Sequence, residues 1–175
     1  MNLILCGMMG AGKTTVGIKI ADLTGRRWYD TDDMITDRHG KISDLFEYYG
    51  EPYFRKIETE IIKELAEMDD LVISTGGGLV LKKENNTILQ KNGKIIFLRA
   101  SIETLSQRLK VDGNRPLLQT STESLRDRLQ RLLEERMPVY EHVADYIVDV
   151  DGNNPEEIAA EIVAIVGEKS TGLSK

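Results

Sequence analysis

The chain alternates short apolar runs with segments in which apolar residues recur at helical spacing. The runs lie near residues 2–6, 28–30, 71–74, 94–98 and 146–150. Short continuous apolar runs are typical of strands covered on both faces, and strands that alternate with helices pair in parallel through right-handed crossovers. The pattern therefore predicts an α/β protein with three layers, α/β/α, in which helices cover both faces of a central five-stranded parallel sheet.

The segments between these strands carry start and stop signals for helices. Pro52 predicts the start of a long amphipathic helix, and Ser43 predicts the cap of the helix before it. Another long helix is predicted from about Ser121 to Arg136, because Pro138 has no N–H to continue it.

Length and composition indicate one domain that acts on a small molecule. We predict a single domain over residues 1–167 and a frayed polar end over residues 168–175. The chain has 23 Lys and Arg against 29 Asp and Glu, a net charge of -6, and no basic run suited to nucleic acid. Cys6 is the single cysteine and is predicted to be buried. With neither a signal peptide nor a membrane span in the sequence, we expect a cytoplasmic monomer without nucleic-acid or membrane partners.

Four loops rich in glycine or acidic residues follow the predicted strands. They cover residues 7–12, 30–33, 75–78 and 151–155. In parallel α/β sheets, ligands bind beyond the carboxyl ends of the strands. The four loops are therefore predicted to face one cleft.

Residues 7–14 match G-x-x-x-x-G-K-[ST] at every fixed position and lie between a predicted strand and a predicted helix. Small residues let successive backbone N–H groups turn inward around phosphate oxygens, and the positive end of the helix adds to the attraction. Lys13 is placed to reach the β- and γ-phosphates, and the Thr14 hydroxyl to bind Mg²⁺. This P-loop predicts nucleotide binding.

Acidic side chains follow the second predicted strand. Asp30 ends the strand and Asp32 lies two residues later, so one carboxylate can face a metal ion and the other the hydroxyl that accepts a phosphoryl group. The alternative is an acid-rich helix N-terminus, which is stabilising without any ligand and suits Asp33 better than its neighbours.

Two arginines and a run of glycines complete the candidate site. The glycines, which allow a close backbone approach, are Gly76, Gly77 and Gly78. The guanidinium groups of Arg55 and Arg136, together with backbone N–H donors, would suit a carboxylate on a small acceptor. Each arginine alone is also consistent with an ion pair, and Glu58 lies at helical spacing from Arg55.

These features occur together, and the chain strongly resembles the shikimate kinases from about residue 2 to residue 166. The matching stretches are Gly-Met-Met-Gly-Ala-Gly-Lys-Thr-Thr-Val-Gly at 7–17, Asp-Thr-Asp at 30–32, Ile-Ser-Asp-Leu-Phe at 42–46, Gly-Glu-Pro-Tyr-Phe-Arg-Lys-Ile-Glu at 50–58, Thr-Gly-Gly-Gly at 75–78, Arg-Pro-Leu-Leu at 115–118 and Glu-Arg-Met-Pro-Val-Tyr at 135–140. Many unrelated proteins share the P-loop, but this combination of motifs is far more specific.

The resemblance implies a P-loop kinase that uses ATP and Mg²⁺. Such an enzyme transfers the γ-phosphoryl group of ATP to the 3-hydroxyl of shikimate, giving shikimate 3-phosphate and ADP on the route to chorismate and the aromatic amino acids. The resemblance also implies a mobile lid at about residues 111–122.

Residue roles follow from the same resemblance. It implies that Lys13, Asp32 and Arg115 are catalytic, with Asp32 facing the 3-hydroxyl and Arg115 on the lid, and that Thr14 and Asp30 lie near the metal. Residues implied to bind ATP are Gly10, Ala11, Gly12, Lys13, Thr14, Thr15, Arg108, Arg115 and Asn153. Residues implied to bind shikimate are Asp32, Arg55, Gly76, Gly77, Gly78 and Arg136.

Two alternatives stay open from the sequence. Another small P-loop kinase, such as a gluconate or nucleoside monophosphate kinase, would share the first loop but not this set of acceptor-side residues. A nucleotide-binding module without catalysis would bind nucleotide and show no acceptor-dependent turnover, although the intact Lys13, Asp32 and Arg55 argue against it.

Overall fold

The computed structural model describes residues 1–112 and 123–167. Its strands are β1 (Asn2–Cys6), β2 (Arg27–Asp30), β3 (Leu71–Ser74), β4 (Gly93–Arg99) and β5 (Tyr146–Asp149). Each strand begins and ends within one residue of an apolar run in the sequence, and all the strand pairs are parallel. The predicted α/β fold with a five-stranded parallel sheet is confirmed.

Helices connect the strands throughout the described part of the chain. They are α1 (Lys13–Thr24), α2 (Thr31–His39), α3 (Ile42–Tyr49), α4 (Glu51–Ala66), α5 (Lys83–Asn92), α6 (Ile102–Asp112), α7 (Leu125–Val143) and α8 (Pro155–Ile165), with a 3₁₀ turn at Leu79–Leu81. Local signals set several of their ends. The α8 helix begins at a capping box, in which Asn154 and Glu157 satisfy each other's backbone N–H groups.

The strand order β2-β3-β1-β4-β5 positions the loops that follow the strands. The chain leaves β1 to form β2 and β3 on one side, and then crosses β1 to form β4 and β5 on the other. Strands β1 and β3 are direct neighbours, with Leu5 paired with Ser74. Since the order reverses here, the loops after β1 and β3 lie side by side at the point where such sheets bind ligands.

The sheet is buried on both faces. Successive side chains of a strand point to opposite faces, and Leu3, Ile4 and Leu5 are all fully buried. Cys6 continues this run, and burial raises the pKa of its thiol to about 12, so it stays protonated and packs as a small apolar group. The helical layers therefore cover both sides of β1.

The α3 helix begins earlier than its sequence signal indicated. The prediction that Ser43 caps this helix is wrong, because the Lys41 carbonyl already accepts the N–H groups of Asp44 and Leu45 and closes the first turn. The Ser43 hydroxyl instead donates to the Asp44 carboxylate over 3.1 Å.

The α7 helix continues past Pro138 to Val143, so the predicted end at Arg136 is wrong. A proline inside a helix removes one hydrogen bond and costs about 3 kcal/mol. The next turn buries Tyr140 and Val143 almost completely, and burial of each such side chain contributes about 1.5–3 kcal/mol. Packing of the last turn therefore offsets the cost of the proline. At the other end, Ser124 is the N-cap.

The predicted lid lies outside the described residues from residue 113 onward, and so does the predicted frayed end at residues 168–175. Within the ranges that the structure does describe, none of the helices has the length and apolar character needed to cross a membrane.

A buried amide at the start of β1 provides a test of the fold. The Asn2 side chain is 1% exposed; it donates to the Met68 carbonyl and accepts from the Leu71 N–H, each over 3.0 Å. Asn2→Ala leaves both partners unsatisfied, so it should lower the free energy of unfolding by about 2–4 kcal/mol. Urea denaturation measures this, with the exposed Gln90→Ala as control. A loss equal to that of the control would contradict the prediction.

Candidate functional site

The P-loop follows β1 and leads into α1. Gly10 and Gly12 adopt left-handed φ values of 82° and 96°, which side chains rarely tolerate. Gly12 is the N-cap of α1, and the Ala11 N–H closes a turn on the Met8 carbonyl over 3.1 Å. The helix start and the loop backbone together have the geometry expected of the predicted anion site, and phosphate binding there stays a prediction.

The Lys13 ammonium lies against the loop that it follows. It donates to the carbonyl oxygens of Gly7 and Met8 over 2.8 and 2.9 Å. These contacts keep the long side chain folded over the loop rather than extended into solvent. The positive charge is thereby held at the place where phosphate oxygens would enter.

Thr14, in the first turn of α1, and Asp30, at the end of β2, are in direct contact. The Thr14 hydroxyl donates to Asp30 Oδ2 over 2.8 Å, while Asp30 Oδ1 accepts the Asp32 N–H over 2.9 Å and caps α2. One hydroxyl and one carboxylate are hard oxygen donors that suit Mg²⁺, which usually keeps several waters and phosphate oxygens as its other ligands. The residues present therefore fit this ion. A richer cluster of three or more His, Cys, Asp or Glu side chains is not found in residues 1–112 and 123–167.

A cavity of about 750 Å³ opens above the P-loop. Its lining residues are Met9, Gly10, Ala11, Gly12, Lys13, Thr14, Thr15, Val16, Asp30, Asp32, Thr75, Gly77, Gln107, Arg108, Pro155 and Ile158. We call it the donor cavity. Arg108 reaches it from α6 and donates to the Gly10 and Ala11 carbonyls over 3.3 and 3.1 Å.

Asn153 lies in the exposed turn before α8, where its amide donates to the Asp149 carbonyl over 3.4 Å. Its neighbour Pro155 lines the donor cavity. The Asn153 contact with adenine stays a prediction.

A second cavity of about 600 Å³ lies beside the first, and we call it the acceptor cavity. Its lining residues are Met9, Asp32, Ile42, Ser43, Phe46, Glu47, Phe54, Arg55, Glu58, Gly76, Gly77, Gly78, Arg128 and Arg136. Met9, Asp32 and Gly77 line both cavities and form the wall between them. The structure thus brings together Asp32, the arginines and the glycines that the sequence singled out.

The two neighbouring acids at the start of α2 differ in their surroundings. Asp32 is half-buried in the wall between the cavities, whereas Asp33 is exposed and lines neither. Partial burial and the nearby Asp30 and Asp37 raise the pKa of Asp33. Its position in the first turn of α2, outside both cavities, is the one that the alternative interpretation of this cluster suggested.

Arg55 is both an ion-pair partner and a lining residue of the acceptor cavity. It donates to Glu58 over 2.7 Å and to Glu51 over 2.9 Å. Glu58 is 1% exposed, and its burial raises the pKa of this carboxyl although the Arg55 guanidinium opposes the shift. The charge of Glu58 is tolerated because Arg55 pairs with it, and this fixes the guanidinium at the cavity edge.

The glycines after β3 leave room for charged groups. A Cβ atom on Gly76 would lie 2.6 Å from Asp32 Oδ1, and one on Gly78 would lie 2.6 Å from the Arg55 guanidinium. The Gly76 N–H donates to the Thr31 hydroxyl over 2.9 Å. Close approach to these two side chains, rather than an unusual φ, explains why glycine occurs at both positions.

The sequence did not single out Arg128, which lines the acceptor cavity, or Tyr140, which contacts the Gly77 carbonyl from outside both cavities. Arg128 lies two turns before Arg136 on α7, and its charge gave no signal that distinguishes it from the surface arginines of that helix. Tyr140 was not considered part of the site because α7 was expected to end before Pro138. Arg115 lies outside the described residues, so its place on a lid stays a prediction.

The comparisons with known proteins agree with this geometry. The model of the shikimate kinase family matches residues 9–166. A shikimate kinase from Thermodesulfovibrio yellowstonii is 44% identical over 172 residues, which are 98% of each chain. One from Chromobacterium violaceum is 43% identical over 163 residues, which are 93% of this chain and 88% of that one.

Solved structures extend the similarity to three dimensions. The shikimate kinase from Acinetobacter baumannii, solved in complex with shikimate, has a TM-score of 0.88 and 37% identity over 94% of this chain and 92% of its own. A gluconokinase from Sinorhizobium meliloti, at 19% identity and a TM-score of 0.57, shares the fold alone. The chain is a P-loop kinase and belongs to the shikimate kinase family.

Proposed function

We propose that this enzyme transfers the γ-phosphoryl group of ATP to the 3-hydroxyl of shikimate, giving shikimate 3-phosphate and ADP. The observation that carries the proposal is the wall shared by the two cavities, formed by Met9, Asp32 and Gly77. A phosphoryl donor in one cavity and an acceptor in the other would meet where the two cavities adjoin, beside the Asp32 carboxylate. In-line transfer requires this proximity.

On the donor side, the loop backbone and Lys13 would hold the phosphates. Residues 10–15 and Arg108 line the donor cavity, and Arg108 donates to the Ala11 carbonyl of the loop. Mg²⁺ at Thr14 and Asp30 would neutralise charge on the phosphate oxygens. Lys13 would exchange its carbonyl partners for phosphate oxygens, so that its charge faces the group being transferred.

On the acceptor side, Asp32 would align the 3-hydroxyl and accept its proton. Arg55 and Arg136 would bind the carboxylate of shikimate, and the backbone of Gly76, Gly77 and Gly78 would contact its ring hydroxyls. Guanidinium groups suit this role because they bind a carboxylate through two parallel hydrogen bonds. The pair with buried Glu58 prepositions Arg55 before the substrate arrives.

The rest of the proposal concerns the whole chain. Residues 1–167 would form one kinase domain, and Arg115 on a lid at about residues 111–122 would approach the phosphates once both substrates are in place and exclude water. Arg108 and Asn153 would contact adenine. The protein would act as a cytoplasmic monomer that uses Mg²⁺, without nucleic-acid or membrane partners.

A coupled assay for ADP release tests the reaction directly. Purified protein with ATP and Mg²⁺ should release ADP when shikimate is added, and much less with gluconate or a nucleoside monophosphate in its place. Omission of Mg²⁺ should abolish turnover. The proposal fails if millimolar shikimate gives no turnover above the ATP-only background.

The role of Asp32 is tested by removing its charge while keeping its shape. Asp32→Asn should lower kcat by on the order of 10²-fold or more, because the acceptor hydroxyl loses its proton acceptor, while the KM for ATP stays nearly constant. The adjacent Asp33→Asn is the matched control and should leave kcat unchanged, since Asp33 lines neither cavity. An unchanged kcat in Asp32→Asn would remove this residue from the mechanism.

The same substitution at two glycines should have different effects. In Gly76→Ala the new methyl group would clash with the Asp32 carboxylate and displace it, so kcat should fall by about 10-fold or more. In Gly78→Ala the methyl group would clash with the Arg55 guanidinium, so the KM for shikimate should rise by a similar factor. Steady-state kinetics in both substrates separates the two cases. Identical kinetic changes in the two variants would mean that the glycines do not set these positions separately.

A further inference from the structure

Tyr140 lies behind the wall that separates the two cavities. The side chain is fully buried on the last turns of α7, and its ring stacks on Phe97 of β4 with the centroids 4.9 Å apart. The ring alone would satisfy this packing. The hydroxyl makes separate contacts, at 2.5 Å to the Gly77 carbonyl and at 3.8 Å to the Met8 sulfur of the P-loop.

We propose that the Tyr140 hydroxyl is a positioning group for the acceptor, because it holds the Gly77 carbonyl and thereby directs the Gly78 N–H and the Arg136 guanidinium towards the acceptor cavity. This inference rests on the proposed function. It assigns a role to a residue that lines neither cavity.

The planarity of the peptide bond explains how a contact on the Gly77 carbonyl orients the Gly78 N–H. In a trans peptide, the carbonyl of one residue and the N–H of the next point in opposite directions. The Gly77 carbonyl points to the Tyr140 hydroxyl, so the Gly78 N–H points away from it, and Gly78 is a lining residue of the acceptor cavity. Within the described part of the chain this N–H has no hydrogen-bond partner, so it is available to a ligand oxygen.

Arg136 is the second acceptor-side group that lies next to Tyr140 and Gly77. It lies one helical turn before Tyr140 on α7, and its positive charge lowers the pKa of the tyrosine against the larger effect of burial. A Cβ atom on Gly77 would lie 3.5 Å from the Arg136 guanidinium, so this arginine, the Gly77 peptide and the tyrosine hydroxyl form one contiguous group. Removal of the Tyr140 hydroxyl should therefore displace both the Gly78 N–H and the Arg136 guanidinium.

The Tyr140 hydroxyl keeps its proton and can donate the same hydrogen bond at all working pH values. Burial raises the pKa of Tyr140 to about 12, so it remains a hydrogen-bond donor throughout the working pH range. The Gly77 peptide also touches the P-loop backbone, since a Cβ atom on Gly77 would lie 3.5 Å from the Gly7 carbonyl oxygen. Tyr140 therefore supports the acceptor side of the wall at the point where the wall meets the donor loop.

Tyr140→Phe tests the proposal because it removes the hydroxyl and keeps the stacked ring. The KM and the calorimetric Kd for shikimate should each rise about 10-fold, the loss expected for one buried hydrogen bond and the donors that it orients, while the KM for ATP stays within about twofold. Tyr146→Phe is the control and should leave all these values unchanged, since Tyr146 lies on the edge strand β5, which β1 and β4 separate from β3 and its glycines.

The readouts distinguish a positioning role from a structural one. Thermal unfolding of Tyr140→Phe should show a folded protein at the assay temperature, and nucleotide binding measured by calorimetry should be retained. A shikimate Kd within twofold of the unmodified protein overturns the proposal, and so do equal losses of shikimate and ATP affinity. If the unmodified protein itself shows no shikimate-dependent turnover, the proposed function fails instead.

Discussion

The parallel pairing of β1 with β3 is the constraint on which the site depends. Leu5 pairs with Ser74, so the two strands end at the same level and their loops leave the sheet side by side. One loop is the P-loop and the other carries the three glycines. Close packing of side chains of different shape on both faces of β1 favours this register, because a shift by one residue would exchange the side chains between the two faces. The donor and acceptor cavities are adjacent for this reason.

The ion pairs of Arg55 hold its guanidinium group in place at the acceptor cavity. Glu58 is a buried carboxylate whose charge is tolerated because Arg55 pairs with it, and that pair holds the guanidinium at the cavity edge. Glu51 contacts the same guanidinium from the exposed side. A carboxylate bound there, as we propose, would meet an arginine that is already oriented, and less side-chain entropy would be lost on binding.

Small residues are needed where charged side chains meet the backbone. Gly76 and Gly78 are tightly approached by Asp32 and Arg55, while Gly77 touches the P-loop and receives the Tyr140 hydroxyl on its carbonyl. The three glycines thus contact parts of the site that come from α2, α4 and α7. This loop therefore lies where the two cavities adjoin, and Gly77 lines both of them.

The sequence by itself determined the strands, most of the helices and the chemical types in the site. The P-loop and its Mg²⁺-suited neighbours were predictable because local backbone conformation and strand-end position define them. The ends of α3 and α7 were not predictable from local signals, since backbone closure at Lys41 and burial of Tyr140 beyond Pro138 decided them.

Only the tertiary structure decided which groups meet. It placed Asp32 in the wall between the cavities and Asp33 outside it, although both follow the same strand. It also brought Arg128 and Tyr140 to the acceptor side, because the direction of a side chain on a long helix depends on what that helix packs against. Residue type and spacing specify the chemistry, whereas long-range packing specifies the contacts through which that chemistry acts.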